Sequence, residues 1–329
     1  MNSTNKSQPD LSILIVSYNT RDLLKDCLES IFTRTQDLSY EIIVVDNNSR
    51  DGSVRMLEKL FEEVAVIANR ENLGFAKANN QAITRSKGRY VLLLNPDTLI
   101  QPNSLTKLVA FMDTHPEADG AGCKLLNRDG STQHSIGNFP TITNQIAQSL
   151  FFHHLFPQVD FFGEINNSED SYTKIRPVDW VFGAAFIVRR EVIEKIGLLD
   201  EDFFLFSEEK DWCYRISRAQ GKVYYYPGAQ IIHYGRSLKP EIQVQLLMSK
   251  LQFFRKHNSS LKYFIFELVT LLSVLLRTVV WAAASILNIR HKITARKKFD
   301  LYRKTLFGML SNRNNFRPLL NGPGSNGSN

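Results

Sequence analysis

Cysteine is scarce in this 329-residue chain, which has Cys27, Cys123 and Cys213 and no others. An odd number of isolated cysteines supports neither a disulfide framework nor a zinc site. We therefore expect three reduced, buried thiols, as in a cytosolic protein. Residues 1–10 are polar and contain no apolar core, so the sequence predicts no secretory signal.

Several phosphate-binding and nucleic-acid-binding motifs are also missing. No Gly-x-Gly-x-x-Gly turn follows the early apolar runs, which argues against a dinucleotide-binding dehydrogenase. The segment VSYNTRD at 16–22 is not the glycine-rich basic loop of a nucleotidyltransferase. No recognisable nucleic-acid-binding motif is present, so we expect no nucleic-acid partner.

Positive charge is abundant only in the last quarter of the chain. The net charge is +7, with 43% hydrophobic and 22% charged residues, which is a globular composition. Residues 250–329 hold 14 Lys/Arg and 2 Asp/Glu, whereas the rest holds 26 and 31. This block suits an anionic surface such as lipid.

Strands and helices alternate through the first hundred residues. Apolar runs predict buried strands at 11–17, 41–46, 64–68 and 90–94, and periodic apolar residues predict helices at 20–33, 53–60 and 74–85. This order predicts a doubly wound, mostly parallel α/β sheet with both faces covered.

Polar residues cluster where three of these strands end. Each cluster alone is ordinary turn and cap chemistry. Ligands of open α/β sheets bind at the carboxyl ends of strands, so three such ends in succession predict one ligand site. The clusters are Ser17, Tyr18 and Asn19; Asp46, Asn47, Asn48 and Ser49; and Asn95, Pro96 and Asp97.

The middle of the chain is irregular and rich in phenylalanine. Residues 135–177 suit a mobile flap over an acceptor, a docking surface for lipid, or a small satellite core. The phenylalanines there include Phe151, Phe152, Phe156, Phe161 and Phe162. A strand over 178–189 follows, in which Trp180 precedes the small residues Gly183 and Ala184, so a ligand can approach closely.

An acidic helix follows an aromatic run at 203–206. Glu208, Glu209 and Asp211 open a predicted helix that continues to Gln220. The helix dipole alone favours acids in a first turn. Beside an apolar wall, however, a carboxylate has a raised proton affinity, as a general base requires.

These segments together resemble the family 2 glycosyltransferases with a GT-A fold, over about residues 11–237. Bacterial rhamnosyltransferases that build O-antigen, cell-wall or S-layer glycans are the most similar members. The matching segments are VSYNT (16–20), VVDNNSRDGS (44–53), NLGFAKANN (72–80), LLLNPD (92–97), FGAAFIVRR (182–190), FFLFSEEKDW (203–212) and HYGRS (233–237).

The resemblance implies a nucleotide-sugar donor site and a divalent metal, Mg²⁺ or Mn²⁺. Asp46 would accept the N3–H of uracil or thymine, and Asp97 and His233 would bind the metal. Asn95 stands where the family usually has the first aspartate of its metal motif. How strictly the activity depends on the metal is therefore open. The other nucleotide-binding residues implied are Ser17, Tyr18, Asn19, Asn48, Ser49, Asn72, Gly74, Asn79 and Asn95.

The resemblance also implies an inverting transfer to an acceptor hydroxyl. The family usually places its base at the second of two adjacent acids, here Glu209; Glu208 would contact a sugar and Asp211 would orient its neighbours. Trp180, Gly183 and Ala184 would line the acceptor site.

We expect dTDP-rhamnose as donor, with a UDP-sugar as the alternative, and a glycan or polyprenol-diphosphate-linked acceptor. The alternative hypothesis is a non-catalytic module that binds a nucleotide sugar.

The expected domains are a polar tail at 1–10, a catalytic domain at 11–240, a helical extension at 241–310 and a disordered tail at 311–329. The nucleotide-binding part is 11–130 and the acceptor part 131–240.

The apolar stretch 264–287 contains Glu267 and Arg277, and a single span would export the basic stretch 290–304, against the positive-inside rule. We expect helices lying in the cytoplasmic face of the inner membrane. The alternative is packing on the catalytic domain or in a homodimer.

Overall fold

The computed structural model of the chain describes residues 8–156, 159, 163–235, 240–287 and 292–311. Its strands are β1 (Leu11–Ser17), β2 (Tyr40–Asp46), β3 (Ala65–Ala68), β4 (Tyr90–Leu94), β5 (Thr98–Ile100), β6 (Gly120–Leu126), β7 (Thr132–Gln133), β8 (Ile136–Gly137), β9 (Arg176–Val178), β10 (Trp180–Val181), β11 (Ala185–Arg189) and β12 (Val223–His233). Residues 1–7 and 312–329, which make up most of the expected tails at 1–10 and 311–329, lie outside the described residues, as do Phe161 and Phe162.

Helices cover both faces of the sheet and form the C-terminal region. They are α1 (Arg21–Arg34), α2 (Ser53–Leu60), α3 (Phe75–Arg85), α4 (Ser104–Thr114), α5 (Ile142–Ser149), α6 (Phe152–Leu155), α7 (Arg190–Ile196), α8 (Glu208–Arg218), α9 (Pro240–His257), α10 (Ser260–Leu287) and α11 (Lys292–Ser311). The strands and helices predicted for the first hundred residues are confirmed to within one residue.

The main sheet has the order β3-β2-β1-β4-β11-β6-β12-β5. β1 pairs in parallel with β2 and β4, whereas β11 runs antiparallel between β4 and β6. Every residue of β1 is buried, because alternate side chains enter separate apolar clusters on the two faces. The expected doubly wound, mostly parallel sheet is confirmed, with antiparallel strands in its second half.

Two predictions for the middle of the chain are wrong. Residues 135–177 contain helix α5, which Thr141 begins with a capping box to Asn144. The single strand expected at 178–189 is three short strands, because β10 leaves the main sheet to pair with β8. Phe182 donates its N–H to Ser135 instead of continuing the ladder.

Predictions nearer the C-terminus also need adjustment. The acidic helix ends at Arg218, two residues before the expected Gln220, and the long strand β12 (Val223–His233) follows it. All three cysteines are free and buried, as predicted.

The C-terminal helices pack on one another and on α5 around a small core of their own. Within the described residues, Ser260–Ile286 of α10 is the one helix long and apolar enough to cross a membrane, judged by length and composition alone. Its mean hydropathy is 1.9, and 22% of the most apolar window is buried. An apolar face of α10 is therefore exposed, including Phe264, Leu272, Leu276 and Val279.

Candidate active site

The loops that follow β1 and β2 are joined by hydrogen bonds at the carboxyl edge of the sheet. The Asn19 backbone N–H donates to Ser49 Oγ (2.9 Å), and Asn19 Oδ1 accepts from the Arg50 N–H (2.8 Å). Ser17 Oγ is 2.8 Å from Thr20 Oγ1. Tyr18 is half exposed beside them. The parallel pairing of β1 and β2 thus brings two of the three predicted clusters into one wall.

Asp46 is buried in this wall with an unused acceptor. Its Oδ1 accepts the Ser49 N–H (2.8 Å), whereas its Oδ2 has no hydrogen-bond partner. Asn48, between them, has a left-handed backbone (φ +68°) that forms the tight turn. A buried acceptor without a donor costs about 1–3 kcal/mol, which a ligand N–H would offset.

Gly74 places the start of α3 against the loop that precedes the acidic helix. Its φ is +83°, and a Cβ there would lie 2.4 Å from the Phe204 carbonyl oxygen, so only glycine fits. Asn72 Oδ1 accepts the Gly74 N–H (3.0 Å), and the Phe75 N–H donates to the Phe204 carbonyl (2.7 Å). Asn79 is buried, with an Oδ1 that lacks a partner.

Asp97 and His233 meet although they follow different strands. Asp97 Oδ1 is 3.3 Å from His233 Nε2, and Asn95 Nδ2 lies 3.3 Å from the same nitrogen. The antiparallel pairing of β5 with β12 sets Thr98 opposite His233 and so brings the two segments together. Of the matching HYGRS segment, residues 236 and 237 lie outside the described residues.

Gln133 orients the histidine, although no periodic pattern or motif in the sequence points to this residue. Its Oε1 is 2.6 Å from His233 Nδ1, while its Nε2 donates to Asn127 Oδ1 (3.0 Å) and to the His233 carbonyl (3.2 Å). Because the amide nitrogen is occupied, Oε1 is the acceptor and Nδ1 carries the proton. The lone pair of Nε2 then points toward Asp97, the arrangement of a metal-ligating histidine.

These residues fit a divalent cation whose other ligands come from a bound molecule. Among the described residues, no group of three His, Cys, Asp or Glu side chains could hold a metal. The site offers one carboxylate, from Asp97, and one imidazole, from His233, with the Asn95 side chain beside them. Mg²⁺ commonly takes one or two carboxylates and completes its shell with phosphate oxygens, and Mn²⁺ tolerates imidazole better.

The acidic helix α8 begins after two residues in an uncommon backbone conformation. Phe206 and Ser207 both have φ of +70°, which costs conformational energy in non-glycine residues. This turn buries Glu208 and partly buries Glu209, and each has an Oε2 without a hydrogen-bond partner.

Both glutamates hold their protons more tightly than free carboxyls do. Burial raises the pKa of Glu208 well above 4.5, and the charge of Glu209 adds to the effect. Burial also raises the pKa of Glu209, although the Lys210 ammonium partly opposes it. A Cβ on Gly183 would lie 3.5 Å from Glu209 Cβ, so the small residue lets the acid lie against the backbone.

Asp211 has a different environment and is fully buried. It accepts from Arg215 Nε on Oδ2 (2.8 Å), and from Lys256 Nζ and His257 Nε2 on Oδ1 (2.7 Å each). Burial opposes ionisation, but the hydrogen bonds from His257 and Lys256 outweigh it and lower the pKa of Asp211 to about 2. Asp211 therefore joins α8 to α9 and is poorly suited to accept a proton.

The three residues predicted to contact the acceptor lie in unlike positions. Trp180 is in the core, with its indole N–H donated to the Asn138 carbonyl (2.9 Å). The Ala184 carbonyl accepts the Asn95 N–H (3.0 Å). Gly183 thus lies between the Asn95–Asp97 segment and Glu209, and it is the member of the trio best placed beside a reacting group.

Comparison with solved structures identifies the fold. The mannosyltransferase PcManGT from Pyrobaculum calidifontis, in complex with GDP-Man and Mn²⁺, superposes with a TM-score of 0.59. The match covers 94% of this chain and 88% of that one, at 14% sequence identity. The fold is that of the GT-A class of glycosyltransferases.

Sequence comparison identifies the family. Residues 12–197 match Glycosyl transferase family 2, which is more than half of the chain. The chain therefore belongs to the family 2 glycosyltransferases, as the sequence resemblance predicted.

Two curated relatives are rhamnosyltransferases. The N-acetylglucosaminyl-diphospho-decaprenol L-rhamnosyltransferase of Mycobacterium tuberculosis is 24% identical over 237 residues, covering 68% of this chain and 76% of the relative. Rhamnosyltransferase WbbL of Escherichia coli K12 is 26% identical over 236 residues, covering 68% and 82%.

Proposed function

We propose that the chain is an inverting, metal-dependent rhamnosyltransferase that uses dTDP-rhamnose and a polyprenol-diphosphate-linked acceptor in bacterial surface polysaccharide synthesis. One observation carries the catalytic part. Gly183 and Ala184 connect the Asn95–Asp97 segment to Glu209, so a candidate metal site and a proton acceptor of raised pKa adjoin. The names of the two relatives support rhamnose as the transferred sugar, and the mycobacterial name supports the polyprenol-diphosphate-linked acceptor.

The proposed roles follow from the unused atoms of the site. Asp46 Oδ2 accepts the base N–H, and Asn79 and Gly74 shape the ribose and sugar-phosphate pocket. Asp97 and His233 hold the cation, which when bound neutralises charge on the leaving diphosphate. Glu209 removes the acceptor proton as the hydroxyl attacks the anomeric carbon. A single displacement with one base inverts that carbon.

A panel of nucleotide sugars tests this function. We expect dTDP-rhamnose to raise the melting temperature in the presence of Mg²⁺ or Mn²⁺, because a ligand that binds only the folded state stabilises it. With a polyprenyl-diphosphate-N-acetylglucosamine acceptor, we expect release of dTDP and a product of inverted configuration. Turnover with a UDP-sugar alone would favour the alternative donor. Binding without release of nucleoside diphosphate from any donor would indicate a non-catalytic module.

The C-terminal helices are proposed to lie on the cytoplasmic face of the membrane. The exposed apolar residues of α10 adjoin a basic segment in α11 that includes Arg296, Lys297 and Lys298. Apolar area and attraction to anionic lipid together bind such helices to the interface. A lipid-linked acceptor of the kind named for the mycobacterial relative would be met there.

Sedimentation with vesicles tests membrane association. We expect the full chain to co-sediment with phosphatidylglycerol vesicles at low salt, and less at high salt because the Debye length shortens from about 10 Å at 0.1 M to about 3 Å at 1 M. Neutral phosphatidylcholine vesicles are the control for charge. Absence of binding at low salt, together with a dimer in sedimentation velocity, would show that the apolar face is buried between two copies.

A further inference from the structure

A cavity of about 230 Å³ with polar and apolar lining residues lies among the C-terminal helices, apart from the candidate active site. Since one water occupies about 30 Å³ of liquid, the cavity has room for several waters or a phosphate group. It is lined by residues of α5, α9, α10 and α11 and is open to solvent on one side, and none of its lining residues belongs to the donor site. The residues used below are Gln145, Gln148, Lys250, Ser273 and Arg277.

Several buried polar atoms in this cavity have no hydrogen-bond partner among the described residues. They are Gln148 Nε2, Ser273 Oγ, Arg277 Nε and Gln145 Oε1. Ser273 and Gln145 are only 5% and 6% exposed. Buried donors without acceptors cost folding free energy unless a ligand or water pairs with them. Gln145 can present either end of its amide to such a ligand.

The cavity also has an excess of positive charge. Lys250 Nζ lies 2.7 Å from Glu164 Oε2, but the other oxygen of Glu164 is already paired with Lys210. Arg277 donates to the Gln148 carbonyl (3.0 Å) and lies over the ring of Phe151 (4.8 Å). Within the described part of the chain, no carboxylate pairs with Arg277. Lys250 therefore shares its carboxylate with a second lysine, and Arg277 has a carbonyl and an aromatic ring as its neighbours instead of a carboxylate.

We propose that this cavity binds an anion of the phosphate class, a phosphate or diphosphate group, with Arg277 as its principal ligand. A guanidinium suits phosphate because its N–H groups can donate two parallel hydrogen bonds. Gln148 and Ser273 supply further donors, and Lys250 adds charge. The same chemistry is offered by a lipid diphosphate headgroup and by free phosphate. The proposal requires neither the donor nor the acceptor proposed above.

Calorimetric titration of the full chain tests the site, in EDTA so that no cation supports diphosphate binding at the donor site. One arm uses inorganic pyrophosphate. The other uses phosphatidylcholine vesicles that contain polyprenyl diphosphate, with vesicles containing unphosphorylated polyprenol as reference. Saturable binding in both arms identifies a lipid headgroup as a source, whereas binding of pyrophosphate alone identifies free phosphate. Binding in neither arm overturns the proposal.

Matched variants locate the binding. Arg277→Gln and Gln148→Glu are each expected to weaken the affinity about tenfold or more, since a charge-assisted hydrogen bond is lost or a negative charge enters the cavity. Gln148→Glu keeps the side-chain size, so it also covers the case in which Arg277→Gln fails to fold. Arg303→Gln, at an exposed arginine of the same helical region, is the control and should bind like the wild type. Unchanged affinity in a folded Arg277→Gln variant would refute the assignment.

Discussion

Replacement of Glu209 by glutamine is expected to lower kcat by about 10²–10⁴-fold, the usual contribution of a general base. Glutamine keeps the size of the side chain and its place beside Gly183 but cannot accept the proton as a carboxylate. Donor affinity should stay near that of the wild type, because the nucleotide wall at Asp46 is formed by other loops. Steady-state kinetics together with donor titration measure the two effects separately.

Asp211→Asn is the matched comparison, since it changes a neighbouring acid in the same way. Both oxygens of Asp211 already accept hydrogen bonds from side chains of α8 and α9. The main expected effect of the substitution is therefore on stability. Breaking a buried ion pair costs about 3–5 kcal/mol, which thermal unfolding would detect. If folded Asp211→Asn lost turnover while Glu209→Gln kept it, Asp211 would be the base.

The pH dependence separates the two acids further. The base must be ionised, and burial raises its pKa, so the acidic limb of kcat/KM should lie above pH 4.5. For stability, a carboxyl whose pKa is higher in the folded state contributes fully below pH 4.5, and that contribution is lost as the pH rises through the folded value. Asp211 acts in the opposite sense, and its contribution is lost as the pH falls toward about 2.

Local patterns were sufficient to predict the strands and helices between residues 11 and 94. β1, β2 and β4 are largely apolar runs, which is typical of parallel strands covered by helices on both faces. The resemblance also implied that Asp97 and His233 lie close together. Asp97 lies just after β4, and His233 is the last residue of β12. Their roles as metal ligands remain predictions.

Contacts between residues that are distant in the chain explain most of what could not be predicted from the sequence. The break between β10 and β11 depends on β8, which is distant in the chain, whereas the start of α5 has a local cap, Thr141 with Asn144, that the expectation of an irregular segment at 135–177 missed. Gln133 contacts a residue 100 positions away, and Asp211 is held by Lys256, 45 positions away. Spacing along the chain therefore could not show that Asp211 is paired while Glu208 and Glu209 keep free oxygens.

Asp97→Ala is expected to abolish turnover, by about 10³-fold or more, while the protein stays folded. A cation that neutralises a leaving diphosphate contributes several kcal/mol to transition-state stabilisation, and each 1.36 kcal/mol is tenfold in rate. With Asn95 two positions earlier, Asp97 is the carboxylate beside His233, and among the described residues no second acid there replaces it.

The same metal site should make the wild type sensitive to chelation. Excess EDTA should reproduce the loss seen in Asp97→Ala, and Mg²⁺ or Mn²⁺ should restore the wild type but not the variant. Circular dichroism checks that the variant is folded, which is expected because removing Asp97 leaves the β5–β12 ladder and the Gln133–His233 hydrogen bond in place. Full activity in the variant, or in the wild type with EDTA, would remove the metal from the mechanism. The leaving diphosphate would then have only hydrogen-bond donors of the protein to balance its charge.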